Sequence, residues 1–577
     1  MLRLINYLKP YWKSVLVILV LTLAGVFSEL FLPRLMGNIV DIGVTTGDLP
    51  YIYATGLRMV IIAVLGTVSM VLSSYLSARA ATAYGRDLRA AVFTRVERFS
   101  LNEFNQLGTA SLITRTTNDI NQVQQVIMMS LRMMARAPLM LVGGLVMAVT
   151  TNAALSRVLL IASPLLLVTI AIVGYIGFPL FKQVQLKTDA LNRVMREELT
   201  GIRVIRAFNK FDYEERRFDT ANRELTGIFL KVARLMALVM PLVSALLNFT
   251  IVAVIWYGSR LIGTGSLEVG QLMAFIQYVM LILFSLIMVS MIFVMIPRAS
   301  ASAIRINEIL DQEAAVKDGD ASLSTEEKSG ANILEFRDVS FKYAGAENPV
   351  VCHLNFTVEQ GETTAIIGGT GSGKSTIINL IMRFYDISKG AILLNGTNIA
   401  TLRQADLRHH FGLVPQNTIL FSGSIRDNIA FGKEEASDAE ISEALRIAQA
   451  ADFVNEREEG LDAVLSQGGK NLSGGQKQRL SIARALVRRP AFYLFDDSFS
   501  ALDFKTDRQL RQELKKVTAD AGVLIVAQRI STILDADRII VLEQGEITGQ
   551  GTHAELLKSN RVYREIVSSQ LGEEALV

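Results

Sequence analysis

The chain has 577 residues, half of them hydrophobic and 20% charged, with a formal net charge of +3. That length exceeds a single core and calls for at least two domains, while the small net charge, with no basic stretch interleaved with aromatics, argues against a nucleic acid partner. The single cysteine, Cys352, excludes an internal disulfide and any cysteine-based metal site and is expected as a buried thiol, and the four scattered histidines make no metal centre.

A mean hydropathy of +0.35 averages two unlike halves, with the apolar excess lying before about residue 300. Residues 1–13 carry Arg3, Lys9 and Lys13 beside Tyr11 and Trp12, which suits a helix at a membrane surface. The first apolar run continues past the length of a signal peptide core, so no cleavable leader is expected. Six stretches, near 14–40, 56–78, 130–153, 155–178, 237–258 and 268–297, each approach the roughly 20 residues that a hydrocarbon core requires. An even number of spans puts both termini on one side.

Lysine and arginine set the orientation. Segments 42–57 and 151–156 contain neither and 258–268 has only Arg260, whereas 79–136 holds eight arginines and 182–234 holds twelve Lys plus Arg. The charge-rich side is therefore cytoplasmic. These long cytoplasmic stretches have helical spacing and almost no proline, so the spans are expected to continue as helices beyond the bilayer. Glu29 lies inside the first span, where a carboxylate either attracts cationic cargo or sits at the interface or against a basic side chain. The spans are rich in methionine, from Met133 and Met134 through Met240, Met273 and Met280 to Met288, Met291 and Met295; flexible thioethers suit varied apolar ligands, though most such residues serve ordinary packing. The membrane half is expected over 1–310, a polar linker over 311–332, an α/β domain over 333–570 and a short tail over 571–577.

In the second half, the strand-like run Thr364 to Ile367 leads into Gly368, Gly369, Thr370, Gly371, Ser372, Gly373, Lys374, Ser375 and Thr376, followed by a helix-like run from Ile377. A glycine-rich turn shares the glycines but not Lys and Ser at these offsets. In a P-loop the backbone N–H groups close around phosphate oxygens, the lysine reaches the terminal phosphates, and the serine hydroxyl holds Mg²⁺. Tyr343, just after an alternating strand, is positioned to stack on adenine. Gln416 follows the apolar strand ending in Leu413-Val414 and can contact Mg²⁺ or the attacking water. Asp496 ends the buried run Phe492 to Phe495, where a metal-holding carboxylate belongs.

Leu472-Ser473-Gly474-Gly475-Gln476, followed by Lys477-Gln478-Arg479, resembles the signature motif of ABC transporters. With six spans in front, the chain resembles an exporter-type half-transporter: an all-α polytopic membrane domain followed by an α/β P-loop NTPase cassette. A serine and two glycines at a helix N-terminus form an anion site. The resemblance implies that this site closes on ATP held by a second subunit, and that the loop Ser500-Ala501-Leu502-Asp503 touches that subunit across the sandwich. It also implies ATP and Mg²⁺ as ligands, and short coupling helices near Asn102 to Gly108 and near Ala207 to Glu215, with Phe208 and Phe211 as anchors.

Two positions depart from the family pattern. Where a glutamate normally polarises the attacking water the chain has Asp497, one methylene shorter, and where a switch histidine is normal it has Gln528. A glutamine amide donates a hydrogen bond but carries no imidazolium charge. The intact signature beside a weakened catalytic pair resembles the degenerate subunit of bacterial heterodimeric multidrug exporters. That resemblance implies a second half-transporter subunit, amphipathic cargo, and a home in the bacterial plasma membrane with the cassette cytoplasmic. A lipid or lipid-linked flippase fits the same fold; a nucleotide-gated regulator or channel is the rival from another class.

Overall fold

The computed structural model describes residues 3–322 and 332–572, apart from the side chains of 290–298. The side chains of Met291 and Met295, the C-terminal part of the linker and most of the tail therefore lie outside the described residues. The chain separates into two compact units, Met1–Glu97 with Ala110–Asp311, and Arg98–Thr109 with Gln312–Val577.

In the first unit the described residues form six helical stretches long and apolar enough to cross a membrane. A 3-10 turn at Leu4–Tyr11 runs into the helix Trp12–Asn38, and Leu49–Glu97 follows. The third stretch, from Thr109 to Thr151, is interrupted by π-helical turns at Arg115–Asp119 and Ser130–Met134. Arg157–Ala207, Phe211–Gly263 and Val269–Asp311 complete the set. Helices are the form that satisfies backbone polar groups without water, which is why these apolar runs take it. Several exceed 40 residues, about twice what a bilayer needs, as the charged, helix-spaced extensions anticipated.

Small and hydroxylated residues let the helices approach. A Cβ on Gly270 would lie 2.2 Å from the Gly37 carbonyl oxygen, so this crossing of the first and sixth helices tolerates no side chain. Thr22 and Ser73 share a buried 2.9 Å hydrogen bond, and the Tyr278 hydroxyl donates to the Leu30 carbonyl at 3.1 Å. Glu29 is ion-paired with Arg136 at 2.7 Å, which takes up the carboxylate and removes the basis for reading it as a free attractor of cations. The amino-terminal segment docks on the second helix: the Tyr11 hydroxyl donates to Asp87 at 2.6 Å and accepts from Arg86.

The second unit is built on two sheets. Six strands run in the order Glu546–Gly551, Arg538–Glu543, Thr363–Gly368, Gly522–Val526, Phe492–Asp496 and Phe411–Val414, all parallel except the first. Their continuous apolar sequences follow from burial on both faces: Ile367, Phe495 and Ile525 face one core, and Ile366, Leu494 and Leu524 face the other. An antiparallel sheet of Val351–Glu359, Ile333–Phe341, Lys389–Leu394 and Thr397–Asn398 covers the second face, with Phe336 and Phe356 stacked at 4.3 Å. Cys352, on one of these strands, is half-buried rather than fully enclosed, because it stands at an alternate, outward position.

Of the two expected coupling elements, the first is a helix, Leu101–Leu107, closed by a capping box between Ser100 and Glu103 and ended by Gly108. It belongs to the second unit, where Asn105 donates to the Tyr385 hydroxyl at 3.0 Å. The second is not a separate helix. Arg157–Ala207 ends, Asn209 takes a left-handed turn at φ 50°, and Phe211–Gly263 begins at once. Phe208 and Phe211 stand exposed at this corner. A two-helix hairpin needs so few connecting residues that no room is left for a third element.

Candidate nucleotide site

The parallel sheet gathers the P-loop, Gln416, Asp496, Asp497 and Gln528 at the carboxyl ends of its strands, the usual ligand-binding edge of such sheets. The P-loop leaves the strand Thr363–Gly368; Asp496 ends Phe492–Asp496; Gln416 and Gln528 each lie two residues beyond their strands. A cavity of about 290 Å³ results, lined by Thr370 to Thr376, Gln416, Asp496, Asp497 and Gln528, with Val350 and Val526 at its sides.

Gly373 caps the helix Lys374–Ile381 at φ 99°, in the left-handed region, and a Cβ there would meet Val351 Cγ1 at 2.7 Å and the Val350 carbonyl oxygen at 3.1 Å. An alanine pays for the backbone conformation, about 1–2 kcal/mol, before the clash is counted. Gly373→Ala should weaken nucleotide affinity at least about tenfold with the fold retained, as read by binding of a fluorescent ATP analogue alongside circular dichroism; unchanged affinity would show that the turn carries no such demand.

Lys374 is buried, and its ammonium donates to the Gly368 and Gly369 carbonyls, both at 2.8 Å. Burial pulls its pKa down from the ordinary lysine value, opposed by the Asp497 and Asp496 carboxylates. Asp496 shows the converse: burial pushes its carboxyl up, and the Ser375 hydroxyl, donating at 2.9 Å, pulls the other way. A buried cation and a buried carboxylate, each penalised by desolvation, are what a polyphosphate and a divalent cation would offset. The Ser372 hydroxyl is buried without a hydrogen-bond partner among the described residues, a further polar atom aimed at no protein group. The donor set therefore fits a magnesium nucleotide, whose metal Ser375 and Asp496, side by side, would hold.

Tyr343 does not line this cavity. It stands beside it, edge-on to Phe341 and Tyr385 at 4.8 and 5.2 Å, with its hydroxyl 3.1 Å from Thr376. Asp497 sits at φ 46°, a conformation that aspartate tolerates better than longer side chains, with its N–H donating to the Val526 carbonyl at 2.8 Å. Sequence reasoning missed two supports. The Ser498 hydroxyl donates to the Val414 carbonyl at 2.8 Å, tying the strand end to the Gln416 loop, and Gln570, from the last helix, brackets the Gln528 loop by donating to the Gln528 carbonyl at 2.7 Å. Neither carries a motif, because each acts through a backbone group brought near only by folding.

The signature forms a separate surface. Ser473 caps the helix Gly474–Leu486 in a capping box with Gln476, leaving Ser473 and Gly474 exposed, while Leu472 anchors the tip in the core. The expected partner-facing loop is welded to both regions: Ala501 donates to Gln478 at 3.1 Å, Ser500 donates to the Asp497 carbonyl at 2.9 Å, and Asp503 caps the helix Phe504–Val517. None of Leu472 to Gln476 lines the cavity around the P-loop.

Residues 15–287 match the family model of the ABC transporter transmembrane region, and residues 351–500 match that of the ABC transporter cassette. An uncharacterized ABC transporter ATP-binding protein of Mycobacterium tuberculosis is 39% identical over 569 residues, covering 98% of this chain and 97% of that protein. This chain belongs to the ABC transporter family. The ABC transporter ATP-binding protein YfiB of Bacillus subtilis is 38% identical, covering 100% of this chain and 99% of that protein, and an ATP-dependent lipid A-core flippase of Desulfotalea psychrophila is 33% identical, covering 89% and 90%. A bacterial Atm1-family ABC exporter with ATP bound superimposes with a TM-score of 0.80 at 27% identity, covering 96% of this chain and 98% of that one. The chain is thus a multi-pass ABC transporter of the exporter type, with six membrane helices fused to an ATPase cassette that couples ATP hydrolysis to transport.

Proposed function

We propose that this ABC transporter is the degenerate half of a heterodimeric exporter of amphipathic compounds, working in a plasma membrane with both termini and the cassette cytoplasmic. The carrying observation is the make-up of one cavity: Asp497 and Gln528 line it beside a complete P-loop, and no signature residue does. Groups needed to enclose the terminal phosphate therefore come from a second cassette, while this chain's exposed serine-glycine tip serves that cassette in return.

Within the chain's own site, the P-loop N–H groups and Lys374 bind the phosphates, and Tyr343 contributes an aromatic edge for adenine. Ser375, Asp496 and Gln416 would hold Mg²⁺, which when bound would neutralise phosphate charge. Asp497 accepts a hydrogen bond from the attacking water at shorter reach than glutamate, and Gln528 donates to a phosphate oxygen without carrying charge. The site binds well and turns over slowly. Closure of the paired cassettes drives the spans from inward-facing to outward-facing, and hydrolysis at the competent site resets them. Lipid export is a second reading, favoured by the 33% identity to a lipid A-core flippase.

The purified chain should hydrolyse ATP at least about tenfold more slowly than the same chain co-purified with a half-transporter that has glutamate and histidine at the matching positions. Robust turnover by the chain alone would end the heterodimer reading.

A further inference from the structure

The membrane unit contains a second, larger cavity, of about 590 Å³. One of its walls is a single stripe of the third helical stretch: Gln125, Met128, Met129, Arg132, Met133 and Arg136 recur at three- and four-residue spacing and all line it. The π-helical turn Ser130–Met134 lies inside this stripe, the kind of local widening often found where a helix does chemistry or binding. Met70 and Met288 line the cavity from the second and sixth helices, so five thioethers surround it. Thr22, Ser73 and Ser74 form a polar patch on the remaining side.

The charge of this lining is one-sided. Among the described residues that line it, Arg132 and Arg136 are the only ionisable groups, and none is an aspartate or glutamate. Glu29 neutralises Arg136 through both of its carboxylate oxygens, at 2.7 and 3.0 Å. Arg132 is exposed and has no hydrogen bond or ion pair with any described residue. A guanidinium in a low-polarity cavity without a counter-ion binds a carboxylate or phosphate in two-point fashion and repels a cation. Adaptable thioethers accept an apolar body of variable shape.

We infer that the cargo this cavity selects is an amphiphile with an anionic head, carboxylate or phosphate, received by Arg132, and an apolar body packed among Met70, Met128, Met129, Met133 and Met288. The inference rests on the export reading and narrows it, since multidrug cargo of cationic type is disfavoured by the same charge. An acidic membrane lipid and a soluble acidic amphiphile present the same chemistry.

The test uses the full-length chain in nanodiscs of zwitterionic lipid without nucleotide. Two fluorescent probes are compared, dansylaminoundecanoic acid and its analogue ending in trimethylammonium, each corrected for partition into empty discs. The acid should bind at least about tenfold more tightly. Arg132→Gln should erase that preference, Arg132→Lys should keep most of it, and Arg132→Glu should reverse it, with ATP-analogue binding unchanged in all three as proof of folding. Displacement of the acid by phosphatidylglycerol introduced into the disc identifies an acidic lipid as the occupant class; displacement by a soluble alkyl phosphate alone identifies a soluble amphiphile. Equal binding of the two probes, or a preference indifferent to Arg132→Gln, overturns the inference. Because binding is read without hydrolysis or transport, a flat charge preference in a chain that still exports faults this inference alone, whereas a preserved preference without export faults the export reading.

Discussion

Exchanging Asp497 for glutamate and Gln528 for histidine together should raise ATP turnover at this chain's own site, in the transporter assembled with its partner subunit, at least about tenfold. Well-placed general-base help is worth roughly 10²–10⁴ in rate, and it depends on hydrogen-bond reach that the shorter side chain lacks. The geometry predicts less than the full range. Residue 497 sits at φ 46°, where a longer side chain is less at ease than aspartate, so the restored carboxylate is held in a mildly strained backbone. Histidine at 528 would meet no steric obstacle, because that side chain is exposed at the cavity rim while its carbonyl is fixed by Gln570. The two changes should be more than additive, since both act on one water and one phosphate. Steady-state phosphate release from the wild type, each single variant and the double variant decides the matter. A double variant no faster than wild type would mean that the site is slow for some reason other than these two side chains.

Ser473→Arg should have the larger effect on the assembled transporter, lowering its ATPase activity more than about a hundredfold while leaving nucleotide affinity at this chain's own P-loop intact. Three losses coincide at the tip. The cap is removed, which alone costs roughly 0.5–2 kcal/mol. A flexible cation is placed where the helix N-terminus should meet an anion with its backbone donors. Bulk is added to a surface now offered by an exposed serine and glycine. Ser473→Ala removes only the first of these and should be several-fold milder. The separation of effects is the informative part: since no signature residue lines the chain's own cavity, an equal fall in its own nucleotide affinity would contradict the division of labour between the two cassettes.

Much of this was legible beforehand. The membrane half is an arithmetic of apolar length and arginine placement, and the P-loop, Asp496, Gln416 and signature are read from residue types at fixed offsets. The relatives then bear out the exporter-type ABC architecture. Other readings needed the fold. Glu29 reads in the sequence as either a free or a paired carboxylate, and only the fold sets Arg136, 107 residues away, against it. Cys352 was expected buried and is half-exposed. The second coupling element proved to be a corner rather than a helix, because a turn of three residues between two long helices leaves no backbone for another.

The linear order of residues determined which chemistry this protein possesses, because phosphate cradling, metal ligation and anion capture each need particular side chains at short, fixed spacing that survive in any rotation of the chain. Only the tertiary structure decided which of these groups work together. Strand pairing brings Gly368, Gln416, Asp496 and Gln528 to one sheet edge from positions more than 150 residues apart, while the signature helix, on the same domain, is directed elsewhere. In the membrane unit, helix packing joined five scattered methionines and an arginine unpaired among the described residues around one cavity, a grouping that hydropathy cannot reveal because lipid-facing and cavity-facing side chains read alike.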